Sequence, residues 1–280
     1  MENNVEVLEQ LSLNLDPEYI VVQNNSLVFS NYDMTAMEQK IVLILVSTIK
    51  KNDTSIKQTS FRVQDLASLL EITPEGLYKD LPKICKSIMS KIIDIKNDNN
   101  DWEMFNLISY AKYKAKEGRI ILEINKKAEP YLLQLKEYFT SFKLGNALFL
   151  DSKYAIRIYQ LTKGSQFKKQ VSFELHEFRK MLGIDKKTAY DRFSNITTRI
   201  LKPSILEINS KTDIIIDYEV LKTGTKAVGI KFLMKPKAIT EVAITTVKRS
   251  KNKKTSGFTD YEQREYDFDD LEKKLLGWDK

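Results

Sequence analysis

The strongest constraint on this fold is an internal repeat at an offset of 112 residues. The segment FRVQDLASLLEITPEGLYKDLPKICKSIM, residues 61–89, aligns without a gap with FELHEFRKMLGIDKKTAYDRFSNITTRIL, residues 173–201. Few residues are identical, but the apolar positions keep one register through a short helix pattern, a turn and a longer helix pattern. Two unrelated amphipathic segments can share part of such a pattern, but keeping it across a turn is harder to obtain by chance. The matching apolar pairs include Phe61 with Phe173, Leu66 with Phe178, Leu70 with Leu182, Ile72 with Ile184, Tyr78 with Tyr190, Ile84 with Ile196 and Ile88 with Ile200.

The segments on either side of the repeat also correspond. A helix pattern precedes each copy, at residues 35–50 with Asp33 as its cap and at residues 152–162 with Asp151 or Ser152 as its cap. Two strand patterns follow each copy, at 104–114 and 119–124 and then at 213–221 and 228–234, and a further helix is expected at 126–140. Each half has the order helix, short strand, helix, turn, helix, β-hairpin, which is that of a winged helix. The predicted fold class is α+β, with two tandem winged-helix (helix-turn-helix plus β-hairpin) domains and a flexible C-terminal tail.

Composition excludes several other classes of protein. With 280 residues, 42% of them hydrophobic and 30% charged, the chain is long enough for two domains with cores and is not wholly disordered. Cys85 is the single cysteine, which excludes an internal disulfide, and His176 is the single histidine, which argues against a conventional zinc site. The longest apolar run is too short to span a bilayer, and the acidic first residues do not have the form of a signal peptide. We expect a cytoplasmic protein.

The charge of the chain is positive and unevenly spread. The net charge is +7, although residues 1–20 and 257–280 are acidic, so the body between them is more basic than the total shows. Exposed lysines and arginines bind polyanions by releasing counterions from phosphates, which favours a nucleic-acid partner. A generally lysine-rich surface would give the same total, so the basic residues must be shown to share faces.

The second helix of the second copy has the polar face that a DNA-reading helix needs. In a helix-turn-helix this helix lies in the major groove. At ~100° per residue, residues 187–202 place two arginines and an asparagine on one side and apolar residues on the other. Arginine can bind guanine, and asparagine adenine, through two hydrogen bonds. A solvated surface helix also has a polar face, but the repeat and the hairpin favour DNA reading. The predicted DNA-binding residues are Lys186, Lys187, Thr188, Arg192, Asn195, Arg199 and Lys202.

The corresponding helix of the first copy, expected at residues 74–95, has different chemistry. Lys79, Lys83 and Lys86 share one side, and lysines alone suit phosphate contact better than base reading. Pro82 lies inside this helix and is expected to break or kink it, while Cys85 is expected to pack at the edge of the apolar face. The lysines at the hairpin tips either contact DNA or are simply solvated; they are Lys114, Lys116, Lys222 and Lys226.

No set of residues in the sequence has the form of a catalytic site. His176 and Arg179 have the HxxR spacing of tyrosine recombinases, but nothing nearby supplies the rest of that site. Gly224 and Gly229 have the spacing of a phosphate-binding loop, but Ile230 stands where that loop needs lysine. We expect neither enzymatic activity nor a cofactor or metal ion.

The chain resembles the initiator replication proteins of iteron-type theta-replicating plasmids, the RepA/RepE/π group. The resemblance covers residues 21–237 and rests on NSLVFSNYDMTAMEQKIVLILVS, SKYAIRIYQLTKGS, FELHEFRKMLGI and RILKPSILEINSKTDIIIDYEVLKTGTKAVGIKFLMKPK. The family implies two winged-helix domains related by pseudo-symmetry, which agrees with the internal repeat. The expected organisation is an acidic N-terminal segment at 1–20, a first domain at 21–145, a second domain at 146–237, a basic flexible linker at 238–257 and an acidic, aromatic tail at 258–280.

The resemblance implies a plasmid replication initiator that acts by binding. Such a protein binds direct repeats, called iterons, in double-stranded DNA at an origin, helps to open the duplex and recruits host replication proteins such as the helicase or DnaA. Its dimers repress its own promoter and its monomers bind the origin. By position, base contact falls on residues 187–202, backbone contact on Lys79, Lys83 and Lys86, and dimerisation mostly on the first domain, through its hairpin at residues 104–124.

Two questions stay open at the level of sequence. The lysine-only helix with Pro82 departs from the family pattern, which leaves base reading by the first domain in doubt. A winged-helix transcriptional regulator is the alternative function, because recognition of DNA by this fold does not specify the outcome. The tail, residues 258–280, alternates acids with aromatics before a short helix pattern, so it is either a partner-binding peptide or an acidic solubilising segment.

Overall fold

The computed structural model describes residues 15–96 and 101–237. The basic linker, the C-terminal tail and most of the acidic N-terminal segment lie outside the described residues. The elements of the first half are β1 (Ile20–Asn24), α1 (Asn25–Val28), α2 (Ala36–Ser47), β2 (Thr59–Arg62), α3 (Val63–Leu69), α4 (Pro74–Met89), β3 (Ile92–Lys96), β4 (Trp102–Asn106), β5 (Ile108–Lys114) and β6 (Arg119–Ile124).

The second half begins after a 3₁₀ turn at Lys126–Ala128. A π-helical turn, Thr197–Leu201, joins two of its helices into one continuous helical segment. The elements are α5 (Glu129–Leu132), β7 (Phe139–Lys143), α6 (Leu144–Leu148), α7 (Lys153–Lys163), β8 (Gln170–Glu174), α8 (Leu175–Met181), α9 (Phe193–Ile196), α10 (Lys202–Lys211), β9 (Ile214–Thr223) and β10 (Lys226–Pro236).

The structure confirms the prediction of two tandem winged helices. The first is formed by α2, β2, α3, α4 and the β5–β6 hairpin, and the second by α7, β8, α8, the helical segment from α9 to α10 and the β9–β10 hairpin. The offset of the sequence repeat is kept at both ends of the short helix, because Val63–Leu69 corresponds to Leu175–Met181. The apolar register of the repeat is therefore the register of two equivalent folds.

The turn of each helix-turn-helix has the same hydrogen-bonded geometry. After α3, the amide of Ile72 donates to the carbonyl of Ala67, and after α8 the amide of Ile184 donates to that of Arg179. The residue before each donor has a left-handed backbone, with φ of 55° at Glu71 and 62° at Gly183. This is the Schellman arrangement that ends helices. Glu71 and Gly183 are equivalent positions of the repeat, so the turn itself accepts a side chain.

Each winged helix closes its core with a three-stranded antiparallel sheet. The strand orders are β2-β6-β5 and β8-β10-β9. The first strand of each sheet places a buried phenylalanine opposite a buried isoleucine, Phe61 with Ile120 and Phe173 with Ile230. Alternating residues of these strands point to one face, so the buried pairs fix the register in both halves.

The first winged helix contains a second hairpin where the sequence predicted the end of a helix. We expected the helix over residues 74–95, but α4 ends at Met89, and β3 pairs with β4. Ile93 and Ile95 are buried while Ile92 is exposed, which is the period of a strand rather than of a helix. The strand expected at residues 104–114 is correspondingly divided at Leu107 between β4 and β5.

Strand β7 forms a two-stranded antiparallel sheet with β1, and the expected helix at residues 126–140 is wrong. Only the short α5 forms there, and β7 pairs with β1 from Phe139 to Lys143. Gln134 and Tyr138 adopt left-handed backbone conformations, which end helical structure between α5 and β7.

Asp33 does not cap α2 as the sequence predicted. The cap is Thr35, whose hydroxyl accepts from the amide of Glu38 while the Glu38 carboxylate accepts from the amide of Thr35. This reciprocal capping box leaves the Asp33 carboxylate to other partners. For α7, Ser152 is the cap, in agreement with one of the two predicted alternatives.

The helices α2 and α7 lie in the centre of the molecule and bury their apolar residues on several sides. Ile41 to Val46 are all buried in α2, as are Ala155 to Thr162 in α7. In the ranges that the structure describes, no helix is both long enough and apolar enough to cross a membrane.

Candidate nucleic-acid interface

The helix proposed to read DNA begins later and ends later than the sequence predicted. Residues 187–202 were expected to form one regular helix, but Thr188–Tyr190 is a 3₁₀ turn and Arg192 is an extended residue at the cap of α9. The chain then stays helical from Phe193 through Pro203 to Lys211. The predicted end of this helix at residue 202 is therefore wrong.

Local contacts explain the late start of this helix. The side-chain amide of Asn195 donates to the carbonyl of Ala189 at 2.8 Å, and Arg179 binds the Asp191 carboxylate at 2.8 Å. The Tyr190 hydroxyl lies 3.4 Å from that of Tyr154. These bonds hold the segment before α9 in a compact turn against α7 and α8.

The π-helical turn ends at Leu201, two residues before Pro203. Proline cannot donate to the fourth preceding carbonyl, and wide turns of this kind occur where the α-helical ladder is interrupted. The buried face of the helical segment continues through this turn at a spacing of four residues. Its members are Ile196, Ile200, Ser204 and Ile208. Turns of this type are frequent at functional sites.

The predicted contact residues of the second winged helix fall into two groups. Five are exposed to solvent on the outer side of the segment: Lys186, Thr188, Arg192, Arg199 and Lys202. The other two are half-buried and already bonded within the protein. Lys187 Nζ lies 2.8 Å from Asp33 Oδ2, and the Asn195 amide is engaged by Ala189. None of the hydrogen bonds and ion pairs given above involves the side chains of these five residues. They can therefore contact DNA without first leaving a protein partner.

In the first winged helix, Lys79, Lys83 and Lys86 lie exposed along α4. Residues three and four apart share a helix face, so the three ammonium groups form one basic row. Leu77, Leu81 and Ile88 are buried on the opposite face. The break or kink expected at Pro82 is not a break, because α4 continues through this exposed residue. Solvent can bond the carbonyl that loses its helical donor there.

Cys85 is half-buried on α4, and burial raises the pKa of its thiol. A raised pKa disfavours the reactive thiolate, in keeping with a packing role.

The two hairpin tips differ in how their lysines are held. Lys222 and Lys226 are exposed on both sides of the Gly224 turn, at the end of strands of 10 and 11 residues. In the shorter hairpin, Lys114 binds Glu117 at 3.1 Å and Lys116 is exposed.

Sequence reasoning missed the residues that fix the two winged helices to each other. Arg157 of α7 is buried and donates to the carbonyls of Val28, Ser30 and Met181. It also donates to the Tyr32 hydroxyl at 3.0 Å. The signal in the sequence was a single arginine within the apolar stretch YAIRIY. Periodicity predicts that this stretch is helical, but it does not predict which groups the arginine contacts.

Within residues 15–96 and 101–237, His, Cys, Asp and Glu side chains form no group of three or more that could hold a metal ion. His176 is exposed on α8, beside Glu174.

Two winged helices in tandem, each with an exposed basic helix, define a tandem winged-helix protein of the kind that binds nucleic acid. The family models agree and are more specific. The first winged-helix domain of initiator replication proteins matches residues 20–163, and the second matches residues 174–234. The chain belongs to the initiator replication protein family, as the resemblance predicted.

Individual relatives support this assignment. A replication initiation protein of Escherichia coli is 27% identical over 248 residues, covering 84% of this chain and 77% of that protein. The PI protein of Escherichia coli is 30% identical over 204 residues, covering 61% of this chain and 67% of that protein. The crystal structure of the Pi initiator protein in complex with iteron DNA superimposes with a TM-score of 0.63 at 23% identity, covering 80% of this chain and 99% of that one. The superposition shows a common fold.

Proposed function

We propose that this chain is a plasmid replication initiator that binds iterons in double-stranded DNA at its origin. The observation that carries the proposal is the exposed basic side of the second winged helix in a chain of the initiator family. A structural relative has been solved in complex with iteron DNA, which supports the same partner here. After binding, the protein helps to open the duplex and recruits host replication proteins.

Base reading is proposed for the exposed residues around α9. Arg192 and Arg199 are the two guanidinium groups of this surface, and arginine recognises guanine through two parallel hydrogen bonds in the major groove. Lys186, Thr188 and Lys202 flank them and suit phosphate contact. Lys187 and Asn195 contribute to DNA binding only if they leave their partners, Asp33 and Ala189.

Backbone contact is proposed for the basic row on α4. Lys79, Lys83 and Lys86 are exposed, and ammonium groups bind phosphates as point charges without the planar geometry that reads a base. The two winged helices thus have different tasks, since one carries the sequence preference and the other adds affinity for DNA of any sequence.

A dimer that represses the promoter of its own gene is proposed to form through the first winged helix. On the β3–β4 hairpin, Ile92, Trp102 and Met104 share one face and are 54%, 67% and 53% exposed. The opposite face, with Ile93 and Ile95, is buried. Apolar side chains collected on an exposed face mark interaction sites, and strand β4 also presents an edge that no described strand covers. The neighbouring strand β5 adds the exposed Tyr110 and Tyr113.

The protein is proposed to act by binding alone, without making or breaking covalent bonds. His176 and Arg179 are the pair with recombinase-like spacing, but Arg179 is occupied by Asp191, and His176 points to solvent beside Glu174. Incubation with supercoiled and linear origin DNA should leave the phosphodiester backbone intact and form no covalent adduct.

Footprinting on the DNA that carries its own gene tests the function. Protection of several phased direct repeats, with distortion of an adjacent AT-rich tract, is the expected result for an initiator. Protection of a lone inverted repeat at the promoter would instead favour a transcriptional regulator. Absence of any protected sequence would refute sequence-specific DNA binding by this chain.

A further inference from the structure

The loop between α1 and α2 lies directly on the helix-turn-helix of the second winged helix. Asp33, in this loop, binds two lysines at once: Oδ1 lies 2.6 Å from Lys153 Nζ, and Oδ2 lies 2.8 Å from Lys187 Nζ. Lys153 opens α7, and Lys187 precedes the 3₁₀ turn that leads into α9. One carboxylate of the first half therefore joins two elements of the second half.

The backbone approaches as closely as the side chains do. A Cβ atom added to Gly183 would lie 2.6 Å from the Cβ and 3.0 Å from the Cα of Asp33. The equivalent position in the first winged helix is Glu71, which adopts the same left-handed conformation with a full side chain. The turn alone thus does not require glycine. The contact with Asp33 does.

The loop that carries Asp33 is itself held in place. The buried guanidinium of Arg157 binds the carbonyls of Val28 and Ser30 and the hydroxyl of Tyr32, whose ring lies 4.2 Å away. Tyr32 also lies 3.2 Å from Gln160 of α7. Asp33 is the next residue, so its carboxylate extends from a fixed backbone and not from a freely moving loop.

The Asp33 carboxyl is ionised at neutral pH. Burial raises the pKa of the Asp33 carboxyl, but the hydrogen bonds from Lys153 and Lys187 more than offset this and hold the pKa below its ordinary value. An ionised carboxylate beside a proposed DNA-contact lysine repels phosphate. Its presence there needs a reason other than affinity for DNA.

We propose that Asp33 is a positioning residue for DNA recognition: it fixes Lys187 and the Gly183 turn, so that the two winged helices present their basic helices to DNA in one fixed relation. This inference rests on the proposed function. Fixed geometry favours the site whose bases Arg192 and Arg199 read, because no binding energy is lost in ordering this surface against the phosphates that α4 contacts. It gives no advantage on DNA of arbitrary sequence.

The test compares the affinity for one protected repeat with that for a scrambled duplex of equal length, at constant salt. For Asp33→Asn, the ratio of the two affinities should fall about five- to tenfold, as expected for the loss of two partly exposed ion pairs. Affinity for the scrambled duplex should stay the same or rise. Asp33→Glu, which keeps the carboxylate, should retain most of the ratio, and Gly183→Ala should lower it.

Asp185→Asn is the matched control. Asp185 is an exposed acid of the same turn, so this change removes the same charge near Lys187 without removing the link to the first half. If Asp33→Asn and Asp185→Asn raise the affinity for both duplexes equally, Asp33 acts only through its charge and the inference is wrong. Equal loss on both duplexes would contradict it as well.

A second measurement needs no DNA. Hydrogen exchange of the hydrogen-bonded amides of Gly183, Ile184 and Lys187 should become faster in Asp33→Asn than in wild type, while Asp185→Asn leaves it unchanged. Unchanged exchange in Asp33→Asn would overturn the inference even if the wild-type protein binds its repeat normally. Failure of the wild-type protein to prefer the repeat would instead refute the proposed function.

Discussion

Arg157 is the residue at which the two halves of the chain are bonded most closely. Its guanidinium is buried, and its partners are three backbone carbonyls and the Tyr32 hydroxyl. Burial lowers the pKa of this guanidinium, since the charge has lost its hydration. The N–H groups of the planar guanidinium compensate for this loss by donating to carbonyls of α1, of the loop after α1 and of the end of α8.

Replacing Arg157 should destabilise the protein strongly. Arg157→Met leaves buried carbonyls without donors and should lower the free energy of unfolding by about 3 kcal/mol or more. Arg157→Lys should recover little of this, because one ammonium group cannot reach acceptors on three sides. Urea unfolding measures both, with Arg62→Met as a control at an exposed arginine. Wild-type stability in Arg157→Lys would contradict this role for the guanidinium fork.

The Asp33 carboxyl gives a prediction for pH. Its pKa in the folded protein lies below the ordinary value of 3.8, so the folded state binds this proton less readily than the unfolded chain does. The ion pairs therefore stabilise the protein above that value, and their contribution is lost as the pH falls through the lowered pKa. The difference in unfolding free energy between wild type and Asp33→Asn should be constant from about pH 5 to 7 and shrink below about pH 4. A difference that grows on acidification would contradict the assignment.

At the scale of elements, the paired turns after α3 and α8 show how one geometry is built from two sequences. Gly183 adopts the left-handed conformation without strain, while Glu71 adopts it at the cost that any side chain incurs there. The two turns keep the same backbone hydrogen bonds although the residue in the left-handed conformation differs.

Glu71→Gly should therefore stabilise the protein by up to about 1 kcal/mol, because relief of the left-handed strain outweighs the greater entropy of glycine in the unfolded chain. Glu75→Gly is the control, since Glu75 lies in the first turn of α4 and glycine there should destabilise by about 0.5–1 kcal/mol. Thermal unfolding measures the change in stability of both variants. A loss of stability in Glu71→Gly would show that its side chain makes a compensating contact.

The elements that the sequence predicted well are those fixed by a long apolar register. The helices α3 and α8 lie at the repeat offset, and the β9–β10 hairpin turns at Gly224, between the two predicted strands. Predictions failed where two periods fit the same residues. Ile92, Ile93 and Ile95 suit a helix face as well as a strand, and only the pairing with β4 decides between them.

The sequence predicts which side chains of the candidate site are exposed, but not the backbone geometry that positions them. The exposure of Arg192, Arg199 and Lys202 follows from the apolar pattern. A helical wheel with a constant angle per residue, however, cannot represent a 3₁₀ turn and a π-helical turn within one segment. The bonds from Asp33 to Lys153 and Lys187 join residues over 100 positions apart in the sequence. No local pattern contains such a contact.

At the scale of the whole molecule, the Arg157 contacts hold the winged helices together, and an apolar face of the first winged helix is left uncovered. That face, formed by Ile92, Trp102 and Met104, lies on the β3–β4 hairpin. A dimer through this hairpin would join the first winged helices and leave the second ones available to DNA.

Trp102→Glu should therefore give a monomer under conditions in which the wild-type protein is dimeric, since a charge on the apolar face would lose its hydration in the interface. Light scattering over a concentration series measures the change. Leu206→Glu is the control, because Leu206 is 74% exposed on α10, away from the hairpin. Equal effects of the two variants, or none from Trp102→Glu, would contradict the proposed dimer surface.

The division of work between the two winged helices is the central claim, and a salt series of DNA-binding affinities tests it most directly. Arg192→Ala, Arg199→Ala and Lys83→Ala would be measured on the protected repeat and on variants with single base changes. The arginine variants should each lose about 1–3 kcal/mol on the repeat and distinguish the base variants less well. Lys83→Ala should weaken binding to all sequences alike and reduce the salt slope by about one unit at most. Equal, sequence-independent losses from all three variants would contradict base reading by the second winged helix.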